Sequence, residues 1–163
     1  MIMNKSHAIV WIRQDFRISK NHALSYATNN HDLVSAIYIY NSDDFKDKRE
    51  AQRWWIYESL KNFKKDLKEY NIDVEVEILS NYQSFFDKYT KNKNLSFYWN
   101  KIYEPKYLNF DKKITKFLSE KNINFKIFKG NTLNENNEIK KNDGTPFKVF
   151  TPFWKNAESF YIE

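Results

Sequence analysis

The chain has 163 residues, of which 41% are hydrophobic and 18% aromatic, which suits one packed domain and excludes a disordered or low-complexity chain. Cysteine is absent, which excludes disulfides, thiolate chemistry and cysteine-ligated zinc. The net charge of +6 permits an anionic partner such as nucleic acid without requiring one, and the lack of a long apolar run or apolar leader predicts a cytoplasmic protein without a membrane span.

Five short apolar runs predict β-strands. Three of them are continuous, as in strands buried on both faces, whereas the third and fifth alternate with charged residues, which favours a wet face or an edge position. In chain order the predicted strands are Ala8–Ile12, Leu33–Tyr40, Ile72–Leu79, Leu95–Trp99 and Ile123–Phe128.

Amphipathic segments between the runs predict helices over His22–Asn29, Arg49–Tyr70, Tyr82–Lys91 and Glu104–Glu120. The second helix has the clearest pattern, because its apolar residues step by four and three along one face. These residues are Ile56, Leu60, Phe63, Leu67 and Tyr70. The lysines at positions 61, 64, 65 and 68 fall on the other side and are interpreted as a solvated face.

The alternation of strands and helices predicts an α/β fold, a doubly wound five-stranded parallel sheet of Rossmann-like type. Ligands of such sheets bind beyond the carboxyl ends of the strands. A functional site is therefore expected around Arg13–Asp15, Tyr40–Ser42 and Asn100–Ile102.

The last third of the chain departs from this pattern. Residues 142–144 (NDG) predict a turn, and Thr151 is expected to cap a helix whose first residue is Pro152. Phe150, Phe153, Trp154 and Phe160 make this helix aromatic-rich, so we expect it to dock on a partner or on a further part of a longer chain.

Several common chemistries are missing from the sequence. Neither the G-x-G-x-x-G turn of dinucleotide-binding folds nor a phosphate loop is present. The three histidines are scattered, no metal site is expected, and the only paired carboxylates are Asp43 and Asp44. A self-contained hydrolase or dehydrogenase is therefore not predicted, although such a sheet can hold a flat ligand by stacking and side-chain hydrogen bonds.

Four segments together resemble the DNA photolyase/cryptochrome family, in the family's order and over the whole chain. They are Val10–Ile18 (VWIRQDFRI), Arg53–Leu60 (RWWIYESL), Trp99–Pro105 (WNKIYEP) and Asp143–Lys155 (DGTPFKVFTPFWK). The resemblance implies that residues 1–163 are the N-terminal α/β domain of a photolyase, which in the family precedes a larger helical domain that binds FAD and damaged DNA.

The resemblance also implies the chemistry of the family. An antenna chromophore (a folate, a deazaflavin or a flavin) passes excitation energy to FAD, and the reduced flavin donates an electron to a pyrimidine dimer in DNA. No catalytic residue of that reaction falls in this chain, so we expect the chain by itself to be inactive. Its expected partners are damaged DNA and its own C-terminal helical domain.

The family's antenna pocket corresponds to three segments of this chain. The implied chromophore-binding residues are Tyr40, Asn41, Arg53, Asn100, Ile102, Tyr103 and Glu104. The chain departs from the family at two places there: Ile102 stands where deazaflavin-type members often have Asp, and Lys106-Tyr107 stands where folate-type members have an Asn-Glu pair.

Three smaller interpretations accompany this assignment. Trp54 and Trp55 are interpreted as packing residues in preference to chromophore contacts. Arg13, Asp15 and Arg17 are expected to pair with one another or to brace the domain interface, and Asn100 has either a ligand hydrogen bond or a turn role. Two other functions stay open: a cryptochrome-type photoreceptor, and a free-standing nucleotide-binding or interaction domain.

Overall fold

The predicted parallel sheet is confirmed. The computed structural model describes residues 6–42, 46, 48–79, 82–89, 94–135 and 138–160, so Asp43, Asp44 and Lys91 lie outside the described residues. Five parallel strands pair in the order β3-β2-β1-β4-β5. They are β1 (His7–Ile12), β2 (Leu33–Asn41), β3 (Val74–Leu79), β4 (Leu95–Asn100) and β5 (Asn124–Phe128).

Within the described residues, four helices cross between the strands, and two of them begin at residues suited to a helix start. They are α1 (His22–Asn30), α2 (Glu50–Lys68), α3 (Tyr82–Tyr89) and α4 (Pro105–Glu120). The Asn21 side chain caps α1 by accepting a hydrogen bond from the Leu24 backbone N at 3.1 Å. Pro105 is the first residue of α4, where its missing N–H costs no helical hydrogen bond.

The sheet buries a separate apolar cluster on each face, as expected of a doubly wound fold. On one face, α1 and α2 cover Ala8, Val10 and Ile12 of β1, and α2 contributes Phe63 and Leu67 to this cluster. The opposite face is aromatic, because α3 and α4 cover side chains of β1 and β4 that include Trp11, Phe97 and Trp99. Both faces of the central strands are thus dry.

β3 and β5 lie at the two edges of the sheet, which confirms the interpretation of their alternating patterns. In β3, Val74 is buried whereas Val76 and Ile78 are exposed on the same face. The helical cover of this edge therefore extends over the start of the strand and not over its end.

The prediction that Tyr70 lies on the buried face of α2 is wrong, because the helix ends at Lys68 and Tyr70 is exposed. The physical reason is the turn that follows, in which Asn71 adopts a left-handed conformation with a φ of 57°. The chain therefore leaves the helix before Tyr70 can reach the sheet.

Residues 132–163 form a second compact unit, described here by itself. Its turn at residues 142–144 is confirmed, and Gly144 supplies the positive φ of 79° that this turn requires. The helix α5 spans Phe150–Ala157 and a 3-10 turn follows over Glu158–Phe160. The prediction that Thr151 caps the helix and Pro152 begins it is wrong: Val149 occupies the capping position without a side-chain bond, which shifts Pro152 to the third helical position.

Candidate ligand-binding cavity

A buried ion pair lies at the carboxyl end of β1. Arg13 follows the strand directly and is only 7% exposed. Its Nη1 donates to Oδ1 of Asp111 on α4 at 2.8 Å, its Nη2 donates to the Asn100 carbonyl oxygen, and its guanidinium lies 4.9 Å from the centre of the Trp11 ring. Burial raises the pKa of the Asp111 carboxyl, and the neighbouring Arg13 cation opposes that shift.

Asn100, at the end of β4, ties two neighbouring segments together. Its Oδ1 accepts from the Ala23 backbone N at 3.0 Å, and its Nδ2 donates to Asn21 Oδ1 at 2.8 Å and to Asp15 Oδ2. The buried amide thus uses its hydrogen bonds within the protein. Of the two roles the sequence left open, the structure displays the one that fixes a turn.

The expected pairing of Arg13, Asp15 and Arg17 with one another is wrong for the side chains. The Arg13 guanidinium pairs with Asp111 instead, because α4 brings this carboxylate over the end of β1. Asp15 Oδ1 accepts from the Arg13 backbone N at 3.0 Å, and Arg17 is exposed. The pairing partner lies 98 positions away in sequence, where no local pattern connects it to Arg13.

A cavity of about 510 Å³ opens above this network. It lies over the carboxyl ends of β1 and β2, between the first turns of α2, the start of α3 and the segment that leads into α4. Its walls are largely aromatic, and the described aromatic residues that line it are Trp11, Phe16, Tyr38, Trp55, Tyr82 and Tyr107. The volume and the aromatic walls suit a small planar molecule.

The polar part of the wall is made of hydrogen-bond donors and amides. Arg13, Gln14, Lys48 and Gln52 line the cavity, and no carboxylate is among its described lining residues. Within the part of the chain that the structure describes, the buried Nε of Arg13 has no hydrogen-bond acceptor. Because Asp111 neutralises the Arg13 charge, this residue brings little net charge to the cavity wall.

Of the seven residues that the family resemblance assigns to the pocket, the structure places Ile102 in the cavity wall. The other six lie around the same end of the sheet and are not among the described lining residues. Tyr40 and Asn41 end β2, where Asn41 is buried, whereas Arg53 and Glu104 are exposed at the starts of α2 and α4.

Tyr103 is committed to a different contact. Its hydroxyl accepts a hydrogen bond from the Gly130 backbone N at 3.4 Å. A Cβ atom on Gly130 would lie 1.9 Å from the Lys101 carbonyl oxygen, so only glycine permits this approach of the two segments. Tyr103 therefore faces the segment after β5.

Most residues of the cavity wall were not predicted from the sequence. The interpretation of Trp54 and Trp55 as packing residues is wrong, since they are 65% and 60% exposed. Trp55 lines the cavity together with Gln52 and Ile56. The spacing of Gln52, Trp55 and Ile56 on one side of a helix was the available signal, because this side includes Ile56 of the apolar face.

The second unit exposes the aromatic residues that were predicted to dock on a partner. Phe150 and Phe160 are 71% and 64% exposed, Trp154 is partly exposed, and Phe153 is half-buried. The rings of Phe150 and Trp154 are nearly parallel, with centres 6.2 Å apart. Their role as a docking surface stays a prediction.

Metal-binding clusters and membrane-spanning helices are absent from the described residues. Among the described residues, no group of three or more His, Cys, Asp or Glu side chains could hold a metal ion. None of the helices within those ranges is long and apolar enough to cross a membrane.

Comparison with known proteins gives consistent matches along the chain. The family model described as DNA photolyase matches residues 8–162. A deoxyribodipyrimidine photo-lyase from Agrobacterium fabrum is 27% identical over 97% of this chain and 33% of its own length, and Cryptochrome-2 from Arabidopsis thaliana is 29% identical over 100% and 27%. The chain thus spans about a quarter to a third of the length of the curated relatives it matches.

Solved structures agree with these matches. A bacterial class III photolyase from Agrobacterium tumefaciens superposes with a TM-score of 0.82 at 26% identity, covering 96% of this chain and 32% of that one. An archaeal photolyase from Sulfolobus tokodaii, solved with two FAD molecules, superposes with a TM-score of 0.78 over 96% of this chain and 36% of that one. Its identity of 21% supports the shared fold alone.

Proposed function

Because this chain belongs to the DNA photolyase family, we propose that it is the antenna and docking domain of a deoxyribodipyrimidine photolyase, and that the cavity at the carboxyl end of its sheet holds the antenna chromophore. The observation that carries the proposal is the cavity itself, which has a volume of about 510 Å³ and largely aromatic walls. A planar ring system with carbonyl oxygens at its edge fits those walls.

Each part of the wall has a role in this proposal. Trp11, Tyr38 and Trp55 offer ring faces for stacking, while the amide groups of Gln14 and Gln52 offer N–H donors to carbonyl oxygens of the ligand. A folate, a deazaflavin or a flavin meets this description. When bound, such a group would supply absorption of light and transfer of the excitation to FAD, which we assign to the family's larger helical domain.

The two departures from the family pattern fall in this wall, since Ile102 and Tyr107 both line the cavity. Ile102 replaces a carboxylate by an aliphatic side chain, and Tyr107 adds a ring with a hydroxyl group. Both changes favour contact with the apolar part of a ring system over pairing with a charged substituent. We propose these two positions as the determinants of which chromophore is taken.

A pair of neighbouring tryptophans tests the cavity. The purified protein is titrated with a folate, a deazaflavin and FMN, and binding is read from the absorption and fluorescence of each compound. Trp55→Ala is expected to weaken binding of the preferred compound at least about tenfold, since one buried aromatic contributes about 1.5–3 kcal/mol and about 1.4 kcal/mol is a factor of ten. Trp54→Ala is the matched control, because Trp54 is not among the described lining residues.

The residues that the family resemblance assigns to the pocket, other than Ile102, give a competing position for the chromophore outside the cavity. If Arg53→Ala weakens binding as much as expected for Trp55→Ala, and Trp55→Ala does not, the chromophore lies outside the cavity. If none of the three compounds binds, the antenna proposal fails.

We further propose that the exposed aromatic residues of α5 pack against the family's helical domain. Each large aromatic side chain can bury about 150–250 Å². Replacing Trp154 and Phe160 by Ser is expected to lower self-association of the chain, measured by sedimentation velocity, without loss of its helical circular dichroism signal. Unfolding of the chain by the two substitutions would contradict the docking role.

A cryptochrome-type photoreceptor is the second candidate, favoured by the 29% identity with Cryptochrome-2 over the whole chain. The two candidates share this domain and differ in the reaction of the whole protein. Light-dependent loss of pyrimidine dimers from irradiated DNA by the FAD-loaded whole protein supports the photolyase. FAD photochemistry without dimer loss supports the photoreceptor.

A further inference from the structure

One side of α2 carries two aromatic rings followed by three cations. Trp54, Tyr57, Lys61, Lys64 and Lys68 step along the helix by three, four, three and four residues, so they form one row. All five are exposed, and neither aromatic residue belongs to the two buried clusters. At 1.5 Å per residue, the row extends about 21 Å. This surface, the α2 row, lies outside the described cavity wall.

We propose that the α2 row binds single-stranded nucleic acid, with unpaired bases stacking on Trp54 and Tyr57 and phosphates lying against the three lysines. Exposed aromatic rings next to cations are the arrangement that proteins use for strands without sequence preference, because every base has a face that stacks. The lysine ammonium groups act as point charges towards phosphate and do not read base edges. This binding goes beyond the proposed antenna function and does not depend on it.

The charges along the row complement a polyanion. The Lys61 Nζ lies 6.0 Å from the centre of the Tyr57 ring, which joins the aromatic half of the row to the cationic half. Two of the lysines have carboxylate neighbours: Lys61 lies 3.4 Å from Glu58, and Lys68 lies 2.8 Å from Asp73. Both pairs are exposed, and such pairs are weak enough for a phosphate to replace the carboxylate.

A solvated lysine face accounts for the cations but not for the rings. Trp54 and Tyr57 expose 65% and 62% of their surface and lie one helical turn apart, so their rings form one exposed patch. Exposed apolar patches of this kind are typical of contact sites. An acidic protein surface would also attract the lysines. The position of two flat rings at the head of the row favours stacked bases over such a partner.

Fluorescence anisotropy of labelled dT12 tests the proposal, with U12 and a 12-base-pair duplex as further probes. We expect the purified protein to bind both single strands more tightly than the duplex at low salt. Trp54→Ala and Tyr57→Ala are each expected to weaken binding at least about fivefold. Lys64→Gln is expected to lower the slope of log affinity against log salt by about 0.7.

Matched controls are available elsewhere in the chain. Tyr70→Ala removes an exposed tyrosine outside the row, and Lys113→Gln removes an exposed lysine of α4. Both are expected to bind dT12 like the parent chain, and circular dichroism verifies that every variant is folded. No binding of either single strand, tighter binding of the duplex, or equal weakening by the control variants would each overturn the proposal.

The experiment also separates this proposal from the antenna proposal. Trp55→Ala is expected to weaken chromophore binding and to leave dT12 binding unchanged, whereas Trp54→Ala is expected to do the reverse. If both tryptophans affect only the chromophore, the α2 row is not a nucleic-acid site and the antenna proposal stands.

Discussion

The two halves of α2 follow the same apolar spacing and have opposite surroundings. In the second half, Phe63 and Leu67 are buried against the sheet with 2% or less of their surface exposed. In the first half, Ile56 is only partly buried and borders the cavity, and Trp54 and Trp55 are exposed. The spacing of apolar residues thus indicates which side of a helix faces the sheet. It does not indicate whether protein atoms fill the space between them.

The most severe test of this difference removes a ring from the buried half. Phe63 packs among the side chains of β1 and β2, with its ring centre 6.2 Å from that of Phe16. Phe63→Ala is expected to lower the free energy of unfolding by about 3–5 kcal/mol. Tyr57→Ala, in the other half, is expected to change it by no more than about 0.5 kcal/mol. Urea denaturation followed by circular dichroism measures both, and equal losses would mean that the two halves do not differ.

Substitution of the buried ion pair beneath the cavity is expected to lower the stability of the fold, although the first half of α2 beside the cavity is largely exposed. Asp111→Asn keeps the shape of the side chain but leaves the buried Arg13 cation without its counter-ion. The expected loss is about 2–3 kcal/mol of unfolding free energy, because hydrogen bonds to charged groups are strong and burial removes solvent compensation.

The exposed pair of Lys116 and Glu120 provides the control for that loss. Glu120→Gln is expected to cost less than about 0.5 kcal/mol in the same urea titration. If Asp111→Asn costs no more than this, the buried pair does not hold the end of β1 in place.

Leu60 and Ile56 lie one helical turn apart, and they allow the most direct comparison of the two halves of α2. Leu60→Phe adds a ring where the side chain already packs against the buried cluster, so a loss of about 1–3 kcal/mol is expected. Ile56→Phe points the same enlargement at the cavity, so we expect a change of less than about 1 kcal/mol together with weaker chromophore binding. A large loss of stability in Ile56→Phe would show that the cavity closes in solution.

The smallest expected effect lies at the far end of the buried half. Lys68 donates to Asp73 at 2.8 Å, and this hydrogen bond lowers the pKa of the Asp73 carboxyl below its ordinary value of 3.8. The pair therefore stabilises the fold above about pH 3.8, and its contribution disappears as the pH falls through the lowered pKa. Asp73→Asn should slightly lower the urea midpoint at pH 7, by an amount that shrinks as the pH falls through the lowered pKa of Asp73. A shift of constant size over the acidic range would contradict the ionic origin.

Much of the fold could be predicted because burial on both faces leaves a direct trace in the sequence. The run Ala8–Ile12 is continuous and forms the central strand, and the alternating run at Ile72–Leu79 contains an edge strand. Helix ends were less predictable. Thr151-Pro152 resembles a helix start, yet α5 begins at Phe150 without a side-chain cap, because local capping preferences are weak compared with the packing of the chain.

The position of the candidate site could be predicted from the sequence, but most of the residues that form it could not. The rule that ligands bind at the carboxyl ends of parallel strands leads to the end of the sheet where the cavity lies. The partners that build the site are distant in sequence: Arg13 meets Asp111, and Trp55 comes to the same space as Ile102 and Tyr107. No periodic pattern records such contacts, and Trp54 and Trp55 are adjacent in sequence although Trp55 lines the cavity and Trp54 is not among its described lining residues.

The strand order has a consequence for the timing of synthesis. β1 pairs with β4 on one side, and His7 meets Leu95, which is 88 positions later in the chain. At about 5–20 residues per second, a ribosome needs roughly 4 to 18 s to add those positions. For most of that interval Ile9 and Trp11 lack β4 on one side and the helices α3 and α4 that cover them. The nascent chain therefore presents its central apolar strand half-paired for seconds, and this is the stage at which a chaperone that shields apolar segments would have its greatest effect on the yield.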